Sequence, residues 1–298
     1  MFRLIHISDL HLGPLPAARI RDLASKRILG YVNWRRNRSR AFGDDIEAAL
    51  IAAIAAERPD HIAVTGDLVN IALAGEYATA SAFLGLVGSG EVVSAVPGNH
   101  DAYVPGAARR ARQAWATYMT ADAGEASGWP YVRRRGDVAI VGASSAVATG
   151  PFMATGSFSE EQEERLAAAL DKLGRAGLCR VVLIHHPPVK GATAWHKRLS
   201  GASRFRKVIV NCGAELILHG HTHRPTRLSL PGPKGAVPVI GVSAATQRPG
   251  GHHPAGGFNL FDIERADAGF RIHHRLMQMA PSGFFTETRS EEIVSPAP

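Results

Sequence analysis

The sequence has few cysteines, few aromatic residues and no long apolar run. Only two of its 298 residues are cysteine, Cys179 and Cys212, which is too few for the disulfide framework of a small secreted domain. Residues 1–6 form no apolar segment of signal-peptide type, and the longest alanine-rich run, residues 48–56, is far shorter than the roughly 20 residues of a membrane span. We therefore expect a cytoplasmic protein, with attachment to the inner face of the membrane as an open alternative.

Outside one segment, the chain also has almost no net charge. The chain has 34 Lys and Arg residues against 26 Asp and Glu residues, for a formal net charge of +8. Residues 19–40 contain eight of these basic residues and one acid, Asp22, and so carry +7 of that charge. Because nucleic-acid surfaces spread basic residues along a track, the near-neutral remainder makes nucleic acid an unexpected partner. The segment also contains apolar residues such as Leu29 and Trp34, and we predict a basic helical insert at 19–40.

Apolar runs and helical patterns alternate along the first two thirds of the chain. Helices are predicted at 44–57, 75–87, within 104–120 and at 159–173. Strands are predicted at 3–7, 61–65, 91–96, 138–142, 180–184 and 215–218, and short β runs follow at 226–230, 237–242, 257–261 and 270–276. The run Arg133–Arg135 is expected in a solvated loop. This order predicts an α/β protein of two packed sheets flanked by helices, with a single domain over 1–280 and a loose C-terminal tail at 281–298.

Residue types that bind metals follow five of the predicted strands. In open α/β sheets the carboxyl ends of the strands are where ligand sites form, so five such loops can bring their side chains together. Each segment alone is weak evidence, whereas all five in order are hard to attribute to chance. The segments are Asp9-Leu10-His11, Gly66-Asp67, Gly98-Asn99-His100-Asp101, His185-His186-Pro187 and His219-Gly220-His221-Thr222-His223.

The chemistry of these side chains restricts the metal. They offer carboxylate oxygens, an amide oxygen and imidazole nitrogens, with no thiolate among them. Such a mixed shell suits transition metals such as Mn, Fe or Zn better than a structural thiolate site or an all-oxygen calcium site. We therefore expect one or more transition-metal ions as cofactors.

The order D-x-H, G-D, G-N-H-D, H-x-P and G-H-x-H resembles the calcineurin-like metallophosphoesterase superfamily, in particular its bacterial phosphodiesterase-type members. The matching positions run from Asp9 to His223, and every signature position is filled. The resemblance implies a four-layer α/β/β/α sandwich of two mixed β-sheets flanked by helices. It also implies a dinuclear metal centre.

The resemblance carries specific roles onto these positions. One metal would be held by Asp9, His11 and His223, the other by Asn99, His185 and His221, and Asp67 would bridge the two. His100 would lie close to the metals without binding them and would protonate the leaving oxygen or bind a phosphate oxygen. Asp101 would orient His100. The implied reaction is attack on phosphorus by a hydroxide that bridges the two ions.

The substrate stays open between several phosphoesters. The first expectation is a metal-dependent phosphodiesterase acting on cyclic nucleotides or other small diesters. The alternative is a lipid-linked pyrophosphatase of the UDP-diacylglucosamine hydrolase type, and a nuclease is less favoured. Because all seven ligand positions and His100 are present, a scaffold with a degenerate site is not favoured.

The basic insert has several open roles, since it follows the first metal motif directly. In one role it caps the site and binds an anionic substrate. In the other roles it contacts an anionic membrane surface, forms a homodimer interface, or only packs on the core.

Overall fold

Two six-stranded β-sheets are the main elements of the computed structural model, which describes residues 1–251, 253–267 and 269–296. No helix in this part of the chain is long and apolar enough to cross a membrane. The strands are β1 (Phe2–Ile7), β2 (His61–Val64), β3 (Val93–Ala95), β4 (Tyr131–Arg135), β5 (Val138–Gly142), β6 (Gly156–Ser157), β7 (Cys179–Leu183), β8 (Leu199–Ser200), β9 (Leu216–His219), β10 (Thr226–Gly232), β11 (Gly235–Gly241), β12 (Gly257–Ala266), β13 (Gly269–Met279) and β14 (Phe285–Pro296). The helices are α1 (Ile20–Leu23), α2 (Arg27–Asn33), α3 (Ser39–Ala41), α4 (Asp44–Glu57), α5 (Ala74–Val87), α6 (Ala107–Ala114), α7 (Glu160–Arg175) and α8 (Ala202–Cys212), with a π-helical turn at Trp34–Arg38.

Both large sheets mix parallel and antiparallel neighbours. The first sheet has the order β14-β13-β12-β1-β2-β3, in which β1, β2 and β3 run parallel and the other pairs are antiparallel. The second has the order β10-β11-β9-β7-β5-β4, with a parallel centre and an antiparallel strand at each edge. A short parallel ribbon joins β6 to β8. The predicted class, an α/β fold with two mixed sheets, is confirmed.

The alternation of side chains along each strand builds the layers. In β7, Val181 and Leu183 belong to the apolar cluster shared with the first sheet, whereas Val182 packs in the cluster that contains Leu166 of α7 and Phe205 of α8. Because successive strand residues point to opposite faces, one buried strand serves both layers. The helices therefore cover the outer faces, and the four-layer sandwich implied by the resemblance is present.

Most predicted elements are present with small shifts at their ends. Helix α4 has the predicted bounds, and the insert at 19–40 is helical as expected. Helix α8 and the strands β4, β6, β8 and β14 were absent from the sequence prediction. The run Arg133–Arg135, expected in a solvated loop, is instead the end of β4. Arg133 is buried there and donates to the carbonyl oxygens of Gly90, Val93, Thr117 and Thr120 at 2.5–2.7 Å.

The C-terminal segment also differs from the prediction of a loose tail. Residues 285–296 form β14, which pairs antiparallel with β13 and buries Ile293 against the core; residues 297 and 298 lie outside the described residues. The strand is at the edge of the first sheet, and edge strands with one solvated face carry many charged residues. Glu287, Arg289 and Glu291 therefore hid the strand from a search for apolar runs.

A buried ion pair joins two strands of the second sheet at the end away from the metal motifs. Arg180 in β7 forms a bidentate pair with Glu215, just before β9, at 2.9 Å from Nε to Oε2 and 2.7 Å from Nη2 to Oε1. The two side chains are only 4% and 3% exposed. Glu215 also accepts the backbone N–H of Arg180 at 2.6 Å, and Arg180 donates to the carbonyl oxygen of Cys212 at 2.7 Å. The pair is therefore both buried and hydrogen-bonded to the backbone around it.

Replacing Glu215 by Gln is expected to lower the free energy of unfolding by about 3–5 kcal/mol, because it leaves the Arg180 guanidinium buried without its counter-charge. The matched control is Asp171→Asn, which breaks the exposed Arg175–Asp171 pair (79% and 50% exposed) and is expected to cost less than about 0.5 kcal/mol. Urea-induced unfolding followed by circular dichroism measures both. Equal small losses in the two variants would contradict the assigned role of the buried pair.

Candidate metal centre

The loops after β1, β2, β3, β7 and β9 meet at one rim of the two sheets and hold one another in place. The backbone N–H of Asp9 donates to the carbonyl oxygen of Gly66 at 2.9 Å, and that of His11 donates to Asp67 at 3.0 Å. Within the second sheet, the N–H of Gly220 donates to the carbonyl oxygen of His185 at 3.1 Å. Backbone hydrogen bonds thus join the loops after β1 and β2 and the loops after β7 and β9, and carboxylate oxygens of Asp9, Asp67 and Asp101 complete the links among the five segments.

Five of the candidate ligands have left-handed backbone conformations, which are costly for residues other than glycine. Such strain persists only where the surrounding structure enforces it, and it concentrates at functional sites. Two glycines allow the tight packing around them: a Cβ on Gly98 would lie 2.2 Å from Asp67 Oδ1, and one on Gly220 would lie 2.6 Å from Asp9 Oδ2. The five residues are Asp9 (φ 53°), His11 (φ 45°), Asp67 (φ 55°), His221 (φ 68°) and His223 (φ 54°).

Asp9, His11 and His223 form the first donor group. His223 Nε2 lies 3.2 Å from Asp9 Oδ1 and 3.2 Å from His11 Nε2. Asp9 and His11 are buried. The Asp9 carboxylate is fixed by the backbone N–H of His221, which donates to Oδ2 at 2.9 Å. The three ligand atoms lie within 4.8 Å of one another, a spacing that one metal ion can span.

The second donor group is built around Asp67 and His185. His185 Nε2 lies 3.1 Å from Asn99 Oδ1 and 3.3 Å from Asp67 Oδ2. The His221 ring packs against that of His185, with ring centres 5.1 Å apart. Ligand atoms of Asp9, Asp67 and His185 also lie within 4.8 Å of one another, so the two groups adjoin. The structure thus brings together all seven residues predicted as metal ligands.

Backbone carbonyl oxygens determine which ring nitrogens face the centre. A carbonyl oxygen can only accept a hydrogen bond, so the ring nitrogen beside it carries the proton and the other nitrogen carries a lone pair. The lone pairs lie on the side of each ring that is turned away from these carbonyl oxygens, where they can hold a proton or a metal ion. The three pairs are His11 Nδ1 with Val69 O (3.2 Å), His185 Nδ1 with Thr65 O (2.6 Å) and His221 Nε2 with Lys197 O (3.0 Å).

The electrostatics of the site also favour a cation. Burial lowers the pKa of His185, but the carboxylates of Asp67 and Asp9 raise it more strongly, to about 9. Burial raises the pKa of Asp67, and the nearby His185 and His100 rings lower it to a net value well below the usual range. The buried carboxylates of Asp67 and Asp9 thus stabilise a positive charge at His185. The donor set and its charge fit two transition-metal ions.

His100 lies beside the centre, as predicted, but its ring is not oriented by Asp101. Its backbone N–H donates to Asp67 Oδ1 at 2.7 Å, and its ring stacks on Tyr103 with centres 5.3 Å apart. The Nδ1 atom donates to the carbonyl oxygen of Asn70, which leaves Nε2 as the second functional atom. Burial, together with the charge of Arg38, lowers the pKa of His100 to about 3. Asn70, absent from the sequence prediction, therefore orients this ring.

Asp101 has a different position from the predicted one. It is buried, and its two carboxylate oxygens accept the backbone N–H groups of Asp67, Leu68, Val69 and Gly98 at 2.8–3.1 Å. Burial and the Asp67 charge raise the pKa of Asp101 to about 7, whereas the N–H groups of Gly98 and Val69 lower it. Asp101 is therefore a positioning residue that clamps the loops after β2 and β3, which carry Asp67 and Asn99.

Arg38 is the main residue of the site that the sequence did not single out. It lies at the end of the π-helical turn in the insert, with Nη2 at 3.1 Å from His100 Nε2 and Nη1 at 3.3 Å from His11 Nδ1. In the sequence it was one of eight basic residues in the insert, and nothing in their spacing distinguished it. Its place depends on how the insert docks, which only the three-dimensional structure shows.

His186 adjoins the second donor group, and a nitrogen of its ring lies within 4.8 Å of ligand atoms of His185 and His221. Its Nδ1 lies 2.8 Å from Ser145 Oγ and its Nε2 lies 3.1 Å from the carbonyl oxygen of Ala154. Its ring centre is 4.3 Å from that of His221. Both nitrogens are thus engaged by protein partners, and His186 supports the ring of His221 from behind.

The donor groups lie at the bottom of an open cavity of about 580 Å³. Asp67, Asn99 and His223 are among the residues of its floor. One wall is formed by the insert, through residues that include Arg36 and Arg38. The insert therefore caps one side of the site, which is one of the roles left open by the sequence.

The comparisons with known proteins agree with this architecture. A family model described as calcineurin-like phosphoesterase matches residues 2–225. A dimetal phosphatase from Danio rerio is similar in structure, with a TM-score of 0.58, 13% identity and coverage of 98% of both chains. The purple acid phosphatase PPD1 from yellow lupin (Lupinus luteus) has a TM-score of 0.57 and 12% identity over 98% of this chain and 53% of its own. At these identities the two structures show a shared fold. A comparison with curated protein sequences finds no match.

Mn²⁺ is expected to raise the Tm of protein pretreated with a chelator, because an ion that binds only the folded state stabilises it, by about 2.7 kcal/mol at a hundredfold excess over Kd. Asp67→Asn removes the carboxylate charge shared by the two donor groups and is expected to lose this response. Asp137→Asn, which changes an exposed carboxylate paired with Arg265, should keep it. Differential scanning calorimetry with and without Mn²⁺ gives the comparison. An undiminished response in Asp67→Asn would be evidence against the metal centre.

Proposed function

We propose that this chain, which belongs to the calcineurin-like phosphoesterase family, hydrolyses small phosphodiesters with the help of two transition-metal ions. The observation that carries the proposal is the meeting of two donor groups at Asp67 on the floor of an open cavity. In this proposal Asp9, His11 and His223 hold one ion, Asn99, His185 and His221 hold the other, and Asp67 is shared. When bound, two such ions polarise phosphoryl oxygens and make a water molecule nucleophilic at neutral pH.

His100 supplies the proton chemistry in this proposal. The carbonyl oxygen of Asn70 keeps the proton on Nδ1, so Nε2 is the atom that exchanges protons with the substrate. The stacked ring of Tyr103 holds the imidazole plane, and the N–H of His100 on Asp67 ties it to the donor groups. The free ring is uncharged at neutral pH, so in this proposal the bound anionic substrate raises the proton affinity of Nε2. The proton that Nε2 takes up from water then passes to the leaving oxygen, a contribution that is typically about 10²–10⁴-fold in rate.

The shape of the site favours a diester over a monoester. Two further cavities share Arg38 and other lining residues with the central one and have volumes of about 460 and 430 Å³. The first is lined by residues that include Tyr103 and Phe152, and the second by Trp34 and Phe42. A phosphodiester has one substituent on each side of phosphorus, and the two cavities offer room for both.

A lipid-linked pyrophosphatase is the second candidate, because the larger side cavity has an apolar rim. Leu29, Val32 and Phe152 line it and are exposed, Phe152 by 81%. The same cavity is lined by Lys26 and Arg36, so its chemistry is mixed. An acyl chain would lie along this rim, and contact of residues 19–40 with an anionic membrane belongs to this candidate. Turnover of an acylated substrate in detergent, with no turnover of small diesters, would favour it.

Asn99→Ala is expected to reduce the Mn²⁺-dependent hydrolysis of bis(p-nitrophenyl) phosphate by more than about 100-fold, because it removes an oxygen of the second donor group. Asn211→Ala, an exposed change on α8, is the matched control and should keep full activity. Release of p-nitrophenol measures the rate, and circular dichroism checks that both variants are folded. A wild-type protein that cleaves no diester with Mn²⁺ would overturn the proposal.

His100→Gln should slow a diester with a poor alkyl leaving group by about 10²–10⁴-fold and a p-nitrophenyl diester far less, because only a poor leaving group needs the proton. The exposed substitution His273→Gln is the control. The measurement is kcat for a series of diesters of graded leaving-group pKa. An equal loss across the series would show that His100 acts in another way.

A further inference from the structure

The guanidinium of Arg38 lies in the wall of the candidate active site. It is half-buried and contacts only the rings of His11 and His100 among the hydrogen bonds found for it. None of the ion pairs found within residues 1–251, 253–267 and 269–296 includes Arg38. The carboxylates of Asp67 and Asp9 attract it through space, and an anion bonded directly to the guanidinium would compensate more of the cost of its partial removal from water.

The protons on the two imidazoles leave most of the Arg38 donors without an acceptor. His11 Nδ1 also faces the carbonyl oxygen of Val69, and His100 Nδ1 faces that of Asn70. Because carbonyl oxygens only accept, both Nδ1 atoms carry protons and cannot accept from a guanidinium. His100 Nε2, at 3.1 Å from Nη2, is the one acceptor among these contacts. The Nη1 group therefore faces two N–H groups in place of acceptors.

The insert does not depend on Arg38 for its docking. Lys26 Nζ donates to Thr149 Oγ1 at 2.8 Å and to the carbonyl oxygen of Met153 at 2.7 Å. Arg27 Nε donates to the carbonyl oxygen of Ile71 at 2.9 Å. At the other end, the backbone N–H of Arg248 donates to the carbonyl oxygen of Ala41 at 2.7 Å. Arg38 is thus delivered to the site by contacts made elsewhere.

We propose that Arg38 binds the phosphoryl group of the substrate, with its Nη1 and Nη2 groups donating to a non-bridging oxygen above the donor groups. This inference rests on the proposed phosphodiesterase function and identifies the element that selects an anionic substrate. A guanidinium suits this task because its planar fork can donate two parallel hydrogen bonds to phosphate oxygens. The insert is then a substrate-binding arm, and Arg38 is its binding residue.

The test compares Arg38→Ala and Arg38→Lys with Arg35→Ala. Arg35 lies in the same turn, is exposed, and has its guanidinium 6.0 Å from the ring of Tyr31, away from the site. Arg38→Ala is expected to raise KM for bis(p-nitrophenyl) phosphate by about 10–100-fold with kcat changed less than about threefold, since a hydrogen bond to a charged group is lost from the bound substrate. Arg38→Lys should raise KM by an intermediate amount, and Arg35→Ala should have the KM and kcat of the wild type.

A binding measurement separates this inference from the catalytic proposal. The affinity of the Mn²⁺-loaded protein for inorganic phosphate, measured by isothermal titration calorimetry, is expected to fall in Arg38→Ala by the same 10–100-fold, about the loss expected for one charged hydrogen bond. This comparison remains valid even when the wild type turns over no diester, so the two proposals fail separately. An unchanged phosphate affinity would overturn the inference. A loss of bound Mn²⁺ in Arg38→Ala, measured by elemental analysis, would also overturn it, because Arg38 would then act on the metal centre.

Discussion

The carboxylate of Asp67 is the point at which the parts of the site are joined. Its Oδ2 lies 3.3 Å from His185 of the second sheet, and its Oδ1 accepts the N–H of His100 from the first sheet. Placing this charge in the interior is unfavourable unless cations and hydrogen-bond donors surround it. The protein meets that demand with imidazoles and backbone N–H groups, and the metals of the family would complete it. The arrangement of the five surrounding loops follows from this buried charge.

Both sheets contribute loops to the site around Asp67, and the first sheet contributes more of them than the second. Strands β1, β2 and β3 of the first sheet and β7 and β9 of the second end at the same rim, where left-handed residues turn the chain into the centre after β1, β2 and β9. Such strained turns are tolerated because the rest of the fold is apolar and well packed. Asp101, which accepts four backbone N–H groups, holds the loops after β2 and β3 in these conformations. The stability of the packed sheets and helices therefore offsets the cost of the strained backbone at the site.

The meeting of the seven candidate ligands was predictable from sequence because each depends on a local pattern, an apolar strand followed by polar residues of the right type. Helix α4 was predictable for the same reason. Asp101, Arg38 and Arg133 were not, because their roles depend on partners distant in sequence: loop N–H groups, a docked insert and carbonyl oxygens of residues 90–120. Strand β14 escaped because its pairing with β13, rather than its hydrophobicity, defines it. Local sequence patterns thus identified the candidate metal ligands, whereas long-range contacts determine which other residues hold those ligands and the surrounding loops in place.

The insert leaves and rejoins the body of the domain at nearly one place. It follows His11 in the chain. Where it returns, the ring of Phe42 lies 5.5 Å from the ring of His11, and the backbone of Phe42 forms a β-bridge with that of Gln247. A segment whose two ends meet in this way can be lengthened, shortened or exchanged at little cost to the strands on either side. The domain is therefore modular at this position: the metal-binding frame stays constant, and a different excursion after the first metal motif would present a different set of groups to the substrate.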